Sequence, residues 1–141
     1  MDKRVLVADS HTLLRLLDQT EAAPRGALLE YNSCAARWEL WVLPARNVDA
    51  RSFDRRVYEA LRHHREQFLE MRLGLSPVIV RVLPESHSLV PALNDLYRLE
   101  GLGCRVLGTR RLGEWIVENA ILLRWATEES VNSRWHLQAI A

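Results

Sequence analysis

Two histidines, each near a carboxylate, are the residues best suited to chemistry in this chain. Asp9-Ser10-His11 and Glu85-Ser86-His87-Ser88 place an acid two positions from an imidazole, and Thr109-Arg110-Arg111 adds a guanidinium pair. If all three segments followed parallel strands, they would meet in the crevice beyond the strands' carboxyl ends, where open α/β sheets hold ligands. There His11 or His87 could move a proton with Asp9 or Glu85. Arg110 and helix N-termini could hold a phosphate. The set Asp9, His11, Glu85, His87 and Arg110 therefore suggests a small enzyme acting on an anionic or phosphorylated substrate. Asp and Ser at such places also cap helices, which requires no site at all.

Several chemistries lack their residues. No Gly-x-Gly or Gly-Lys-Ser/Thr turn could cradle a nucleotide, and no Gly-x-Ser-x-Gly elbow could strain a nucleophile. Of the 19 basic residues only Lys3 is lysine, so a lysine amine deep in the fold is excluded. Glu59, His63 and Glu66 share one helix face as potential metal donors. His64, which continues the apolar stripe between Leu61 and Phe68, suits a structural role, and neither a metal nor a cofactor is expected.

A second group of residues suits recognition. Arg51, Arg55, Arg56, Arg62, Arg65 and Arg72 punctuate one helical segment, interleaved with Glu59, Glu66 and Glu70. Trp115, Trp125 and Trp135 lie toward the C-terminus, and arginine and tryptophan are the residue types that anchor partners. The partner-binding candidates are Arg51, Arg55, Arg62, Trp115 and Trp135. With no motif of catalytic geometry, the leading expectation is a non-catalytic binding or regulatory protein acting through a protein partner. The anionic-substrate enzyme is the first alternative. Nucleic-acid binding by the arginine-rich helix 49–73 is the second.

Bulk properties set the frame for both groups. At 141 residues, with 48% hydrophobic and 26% charged, the chain reads as a single globular domain spanning 1–141. A net charge of +1 gives no whole-molecule attraction to nucleic acid or anionic lipid. No apolar run approaches the roughly 20 residues needed to span a bilayer. A cytoplasmic, bacterial-type protein is expected, with Cys34 and Cys104 as buried thiols rather than a disulfide.

The elements that must position these residues follow from periodicity. Arg4 to Ala8 reads as a strand, and His11 to Glu21 as a helix capped by Asp9 or Ser10. Ala27 to Tyr31 and Arg37 to Leu43 form a hairpin whose second strand is apolar on both faces, hence central. Asp49 opens a long helix to about Leu73. Val78 to Leu83 is a buried strand, Ser88 caps a helix to about Glu100, and Cys104 to Leu107 is a further strand. The stripe Leu112, Ile116, Asn119, Ala120 and Leu123 predicts a last helix to about Glu128. The alternation of Trp135, Leu137 and Ala139 predicts an edge strand through which a homodimer could form. The sum is a three-layer α/β fold in the order β-α-β-β-α-β-α-β-α-β, with a mostly parallel mixed sheet and helices on both faces.

Arg4-Val5-Leu6-Val7-Ala8-Asp9-Ser10-His11-Thr12-Leu13-Leu14-Arg15 resembles the opening of a response-regulator receiver domain. That family implies a phosphotransfer site built on paired acids, but Ser10 stands where the second acid belongs. Leu43-Pro44 replaces its phosphorylated aspartate and Thr109-Arg110 its lysine, so phosphotransfer is not carried over. Residues 27–125, with Leu99-Glu100-Gly101-Leu102-Gly103-Cys104-Arg105-Val106 as the closest local match, resemble the anti-sigma-factor-antagonist domain. Its phosphorylated serine would fall near Ser86 or Ser88, without the usual Asp-Ser-Ser-Gly context. The two resemblances conflict, and the chain is assigned to neither family.

Overall fold

A computed structural model describes residues 3–63 and 78–126. Helix α1 (Lys3–Asp18) leads into a hairpin of β1 (Gly26–Asn32) and β2 (Arg37–Leu43), followed by α2 (Ala50–His63) and β3 (Val78–Val82). Helix α3 (Leu89–Leu96) precedes a second hairpin of β4 (Arg105–Leu112) and β5 (Trp115–Trp125). The five strands form one mixed sheet in the order β3-β2-β1-β5-β4. The class is α/β, but the expected element order and the mostly parallel sheet are both corrected. Among the described residues only β2 and β3 run parallel; β1 with β2, β1 with β5 and β4 with β5 are antiparallel.

Two segments account for the difference. Arg4 to Ala8 is the first part of α1, because Leu6 and Ser10 extend the stripe of Leu13, Leu14 and Leu17 into one buried helical face. Sixteen residues of consistent amphipathicity outweigh two β-branched side chains, whose helical penalty is only tenths of a kcal/mol. The segment predicted as the last helix is strand β5. Gly113, at φ 61°, and Glu114 form a two-residue turn joining Leu112 to its cross-strand partner Trp115. An irregularity near Asn119, which adopts φ 48°, shifts the register and hides the strand's alternation. Hairpins this short allow only antiparallel pairing, leaving β2-α2-β3 as the sole β-α-β crossover among the described residues.

The three-layer arrangement holds. Leu6, Leu14 and Leu17 of α1 and Phe53 and Val57 of α2 pack on Ala27, Leu29, Leu40, Val42, Ile121 and Leu123 of the sheet. On the opposite face, Leu89, Val90 and Leu93 of α3 pack with Leu28, Leu43, Leu112, Val117, Leu122 and Trp125. Strand β2 lies between β1 and β3, as its two apolar faces predict. No described helix is long and apolar enough to cross a membrane. Contrary to expectation, Cys34 and Cys104 are both exposed: one sits in the β1–β2 turn and the other just before the edge strand β4. Trp135 and the predicted edge strand lie outside the described residues, as does the end of the predicted helix 49–73.

Candidate functional site

The structure does not gather the five crevice residues. Asp9 and His11 sit within α1, on one side of the sheet, where His11 Nε2 lies 2.7 Å from the Gly103 carbonyl. Glu85 pairs with Arg25, the residue immediately before β1. His87 and Arg110 lie on the α3 side, where Arg110 donates to the Tyr97 hydroxyl at 2.8 Å. The premise failed because Asp9 follows no strand and β4 runs beyond Arg110 to Leu112. Glu59 and His63 belong to no cluster of three metal-ligating side chains among the described residues.

Two of the singled-out residues do meet. The His87 ring lies 4.6 Å from that of Trp115, nearly edge-on, and 6.5 Å from that of Trp41. Its Nδ1 accepts the Leu89 backbone N–H at 3.1 Å, so in the neutral ring the proton sits on Nε2. Arg81 stacks over Trp41, 4.9 Å from the ring centre. A band of cation and aromatic rings thus crosses the sheet beside α3.

Under this band lies a carboxylate pair that the sequence analysis overlooked. Glu30 and Glu39 are direct cross-strand partners on β1 and β2. Glu39 is 2% exposed and accepts hydrogen bonds from Asn32 at 3.0 Å, Arg37 at 3.3 Å and Arg81 at 3.3 Å. Burial pushes its pKa up, but the Asn32 bond and the Arg81 and Arg37 cations outweigh this and hold it below the ordinary value. Glu30 shifts the other way. Burial raises it, aided by the charges of Glu39 and Glu118, against the hydrogen bond from the Glu118 backbone N–H. The available signal was one glutamate in each strand of the predicted hairpin, since like charges directly opposite are costly unless compensated.

Opposite shifts give opposite pH dependences. Protonated Glu30 favours the fold, so its stabilisation is complete below the ordinary glutamate pKa and is lost as pH rises through the elevated one. Glu39 stabilises above the ordinary value, and its contribution disappears as pH falls through its depressed pKa. Glu30→Gln should therefore raise the urea midpoint at neutral pH and leave it unchanged at the acid end of the titration. Glu39→Gln should lower it at neutral pH. A Glu30→Gln midpoint below that of the parent at pH 7 would show that burial does not dominate at this site.

The second assembly surrounds β3, the outermost strand on its side of the sheet. Arg51, Asp54, Arg55, Tyr58 and Leu61 of α2 line a groove of ≈ 370 Å³ with Val80. A second concavity, ≈ 570 Å³ and bordered by Arg37, Trp41, Ile79 and Arg81, continues around the strand. Of the partner-binding candidates, Arg51 and Arg55 line the groove, Arg62 is exposed at the end of α2, and Trp115 stands apart beside His87. Tyr58 and Ile79, 65% and 42% exposed, are recognition residues the sequence reading missed. Comparison with protein-family models, with curated proteins and with solved structures finds no match to this chain.

Proposed function

We propose that the protein is a non-catalytic binding protein that recognises a protein partner along the β3 edge. One observation carries this reading: Arg51, Arg55, Tyr58, Ile79 and Arg81 are all exposed around one outer strand, with Trp41 beside them. Arginine and aromatic side chains supply most of the binding energy at protein interfaces. The residues proposed for acid–base chemistry, by contrast, lie on opposite sides of the sheet and make internal contacts. Regulation through such a partner in a reducing cytoplasm suits the exposed, unpaired Cys34 and Cys104. The enzyme alternative draws its support from Glu30 and Glu39, whose pKa values are driven apart as in acid–base pairs.

A photo-cross-linking residue substituted at Tyr58 tests the binding reading directly. In host lysate it should give a discrete protein adduct that Arg51→Glu weakens. The same group at Val5, exposed on α1, should give none. Equal labelling from both positions, or an adduct to nucleic acid alone, would overturn the proposal.

A further inference from the structure

We propose that the groove between α2 and β3 takes an extended, acidic segment of the partner, added to β3 as a further strand and held by Arg51 and Arg55. This inference rests on the β3 edge being the partner-binding surface. Strand β3 pairs with β2 in parallel register, from Trp38 opposite Val78 to Val42 opposite Val82. Its other edge has no ladder partner among the described residues. Such an edge is a template for backbone hydrogen bonding by an extended peptide.

Charge identifies the guest. Arg51 and Arg55 are exposed, one helical turn apart, and neither guanidinium has an ion-pair or hydrogen-bond partner among the described residues. Like charges at this spacing repel, and the first turn of α2, the positive end of its dipole, holds Arg51 and no acidic residue. The capping Asp49 compensates the dipole at this end through the Ser52 backbone N–H and hydroxyl, each at 2.9 Å, and its carboxylate is not paired with either guanidinium. Asp54 lines the same groove without pairing with either arginine. Anionic side chains of a guest would meet two guanidinium groups that no described side chain pairs with.

The groove floor favours peptide over nucleic acid. Val57, Leu61 and Val80 present apolar surface between the guanidinium groups and the strand, suited to the alternate side chains of a β-strand. On the far side of the edge, Arg81 and Trp41 would meet the other set of side chains.

The test uses a fluorescein-labelled peptide of roughly eight alternating Glu and Val residues, long enough to span the edge strand. Anisotropy titrations of the full chain compare it with a Lys-for-Glu version, a version N-methylated at alternate amides, and a short single-stranded oligonucleotide. The acidic peptide should bind, and the Arg51→Glu/Arg55→Glu variant should weaken it by about tenfold or more, as expected for loss of close charge pairs. N-methylation should abolish binding. Far-ultraviolet circular dichroism should show the variant folded, since both side chains are exposed. Equal binding of the lysine peptide, indifference to N-methylation, or tighter arginine-dependent binding of the oligonucleotide overturns the inference. If Tyr58 cross-links a protein but no acidic peptide binds, the added-strand mode falls while the partner reading survives. If both fail, the partner reading falls with it.

Discussion

Replacing Arg124 with alanine should lower the unfolding free energy by about 2 kcal/mol, less than for breaking a fully buried ion pair because Asp18, 34% exposed, can be rehydrated. The side chain is 11% exposed and donates from all three guanidinium nitrogens. Nη1 and Nη2 donate to the two carboxylate oxygens of Asp18 at 2.7 and 2.6 Å, Nη1 also reaches the Pro24 carbonyl at 3.1 Å, and Nε donates to the Gly101 carbonyl at 2.7 Å. One residue of β5 thereby ties together the C-terminus of α1, the α1–β1 loop and the loop after α3. The cation also lies at the end of α1 where the helix dipole favours positive charge.

Conservative variants separate charge from geometry. Arg124→Lys keeps the cation but loses the planar fork, so it should recover only part of the loss. Asp18→Ala should cost less than Arg124→Ala, because Asp18 is 34% exposed and Arg124 would keep both carbonyl acceptors. Urea denaturation with an unchanged m-value provides the measurement. A loss of under about 0.5 kcal/mol for Arg124→Ala, the range of ordinary surface substitutions, would show that the clamp carries no stability.

Trp125→Ala should cost about 4 kcal/mol, as for other large aromatic truncations in a core. The ring is 1% exposed and fills the α3-side core, and its indole N–H donates to Asn94 at 2.9 Å, joining β5 to α3. A Cβ at Gly26 would lie 2.7 Å from the ring, so the absence of a side chain on β1 is what admits it. Gly26→Ala should therefore destabilise the parent protein and be far milder in a Trp125→Ala background. A double-mutant cycle reads this coupling directly, and additive effects would refute the packing argument. Trp125→Phe should fall between, since most of the apolar volume remains while the bond to exposed Asn94 is exchanged for water.

The elements legible in the sequence share one property: their local pattern matches their final environment. The β1–β2 hairpin and the start of α2 at its Asp49 cap follow from periodicity and turn residues, whereas the apolar run 78–83 forms a strand but not the buried one it predicts, since β3 is an outer strand with Ile79 and Arg81 exposed. Strand β5 was misread because burial on both faces and the register shift near Asn119 remove its alternation, leaving apolar residues at spacings that also suit a helix. The first segment was misread because the four apolar residues Val5 to Ala8 look like a strand until the stripe is followed to Leu17.

For function, residue types alone nominated Arg51, Arg55, His87 and Trp115, and their presence in exposed or half-buried surroundings is a matter of helical and turn periodicity. Composition likewise determined that lysine-dependent chemistry in the interior was excluded. Which residues become neighbours was decided by strand order. Placing β3 at one edge brings Ile79 and Arg81 beside Arg51, and the β1–β2 register sets Glu30 against Glu39. These contacts join residues far apart in the chain, and pairing across a sheet depends on how all the strands share two cores rather than on any segment's own pattern.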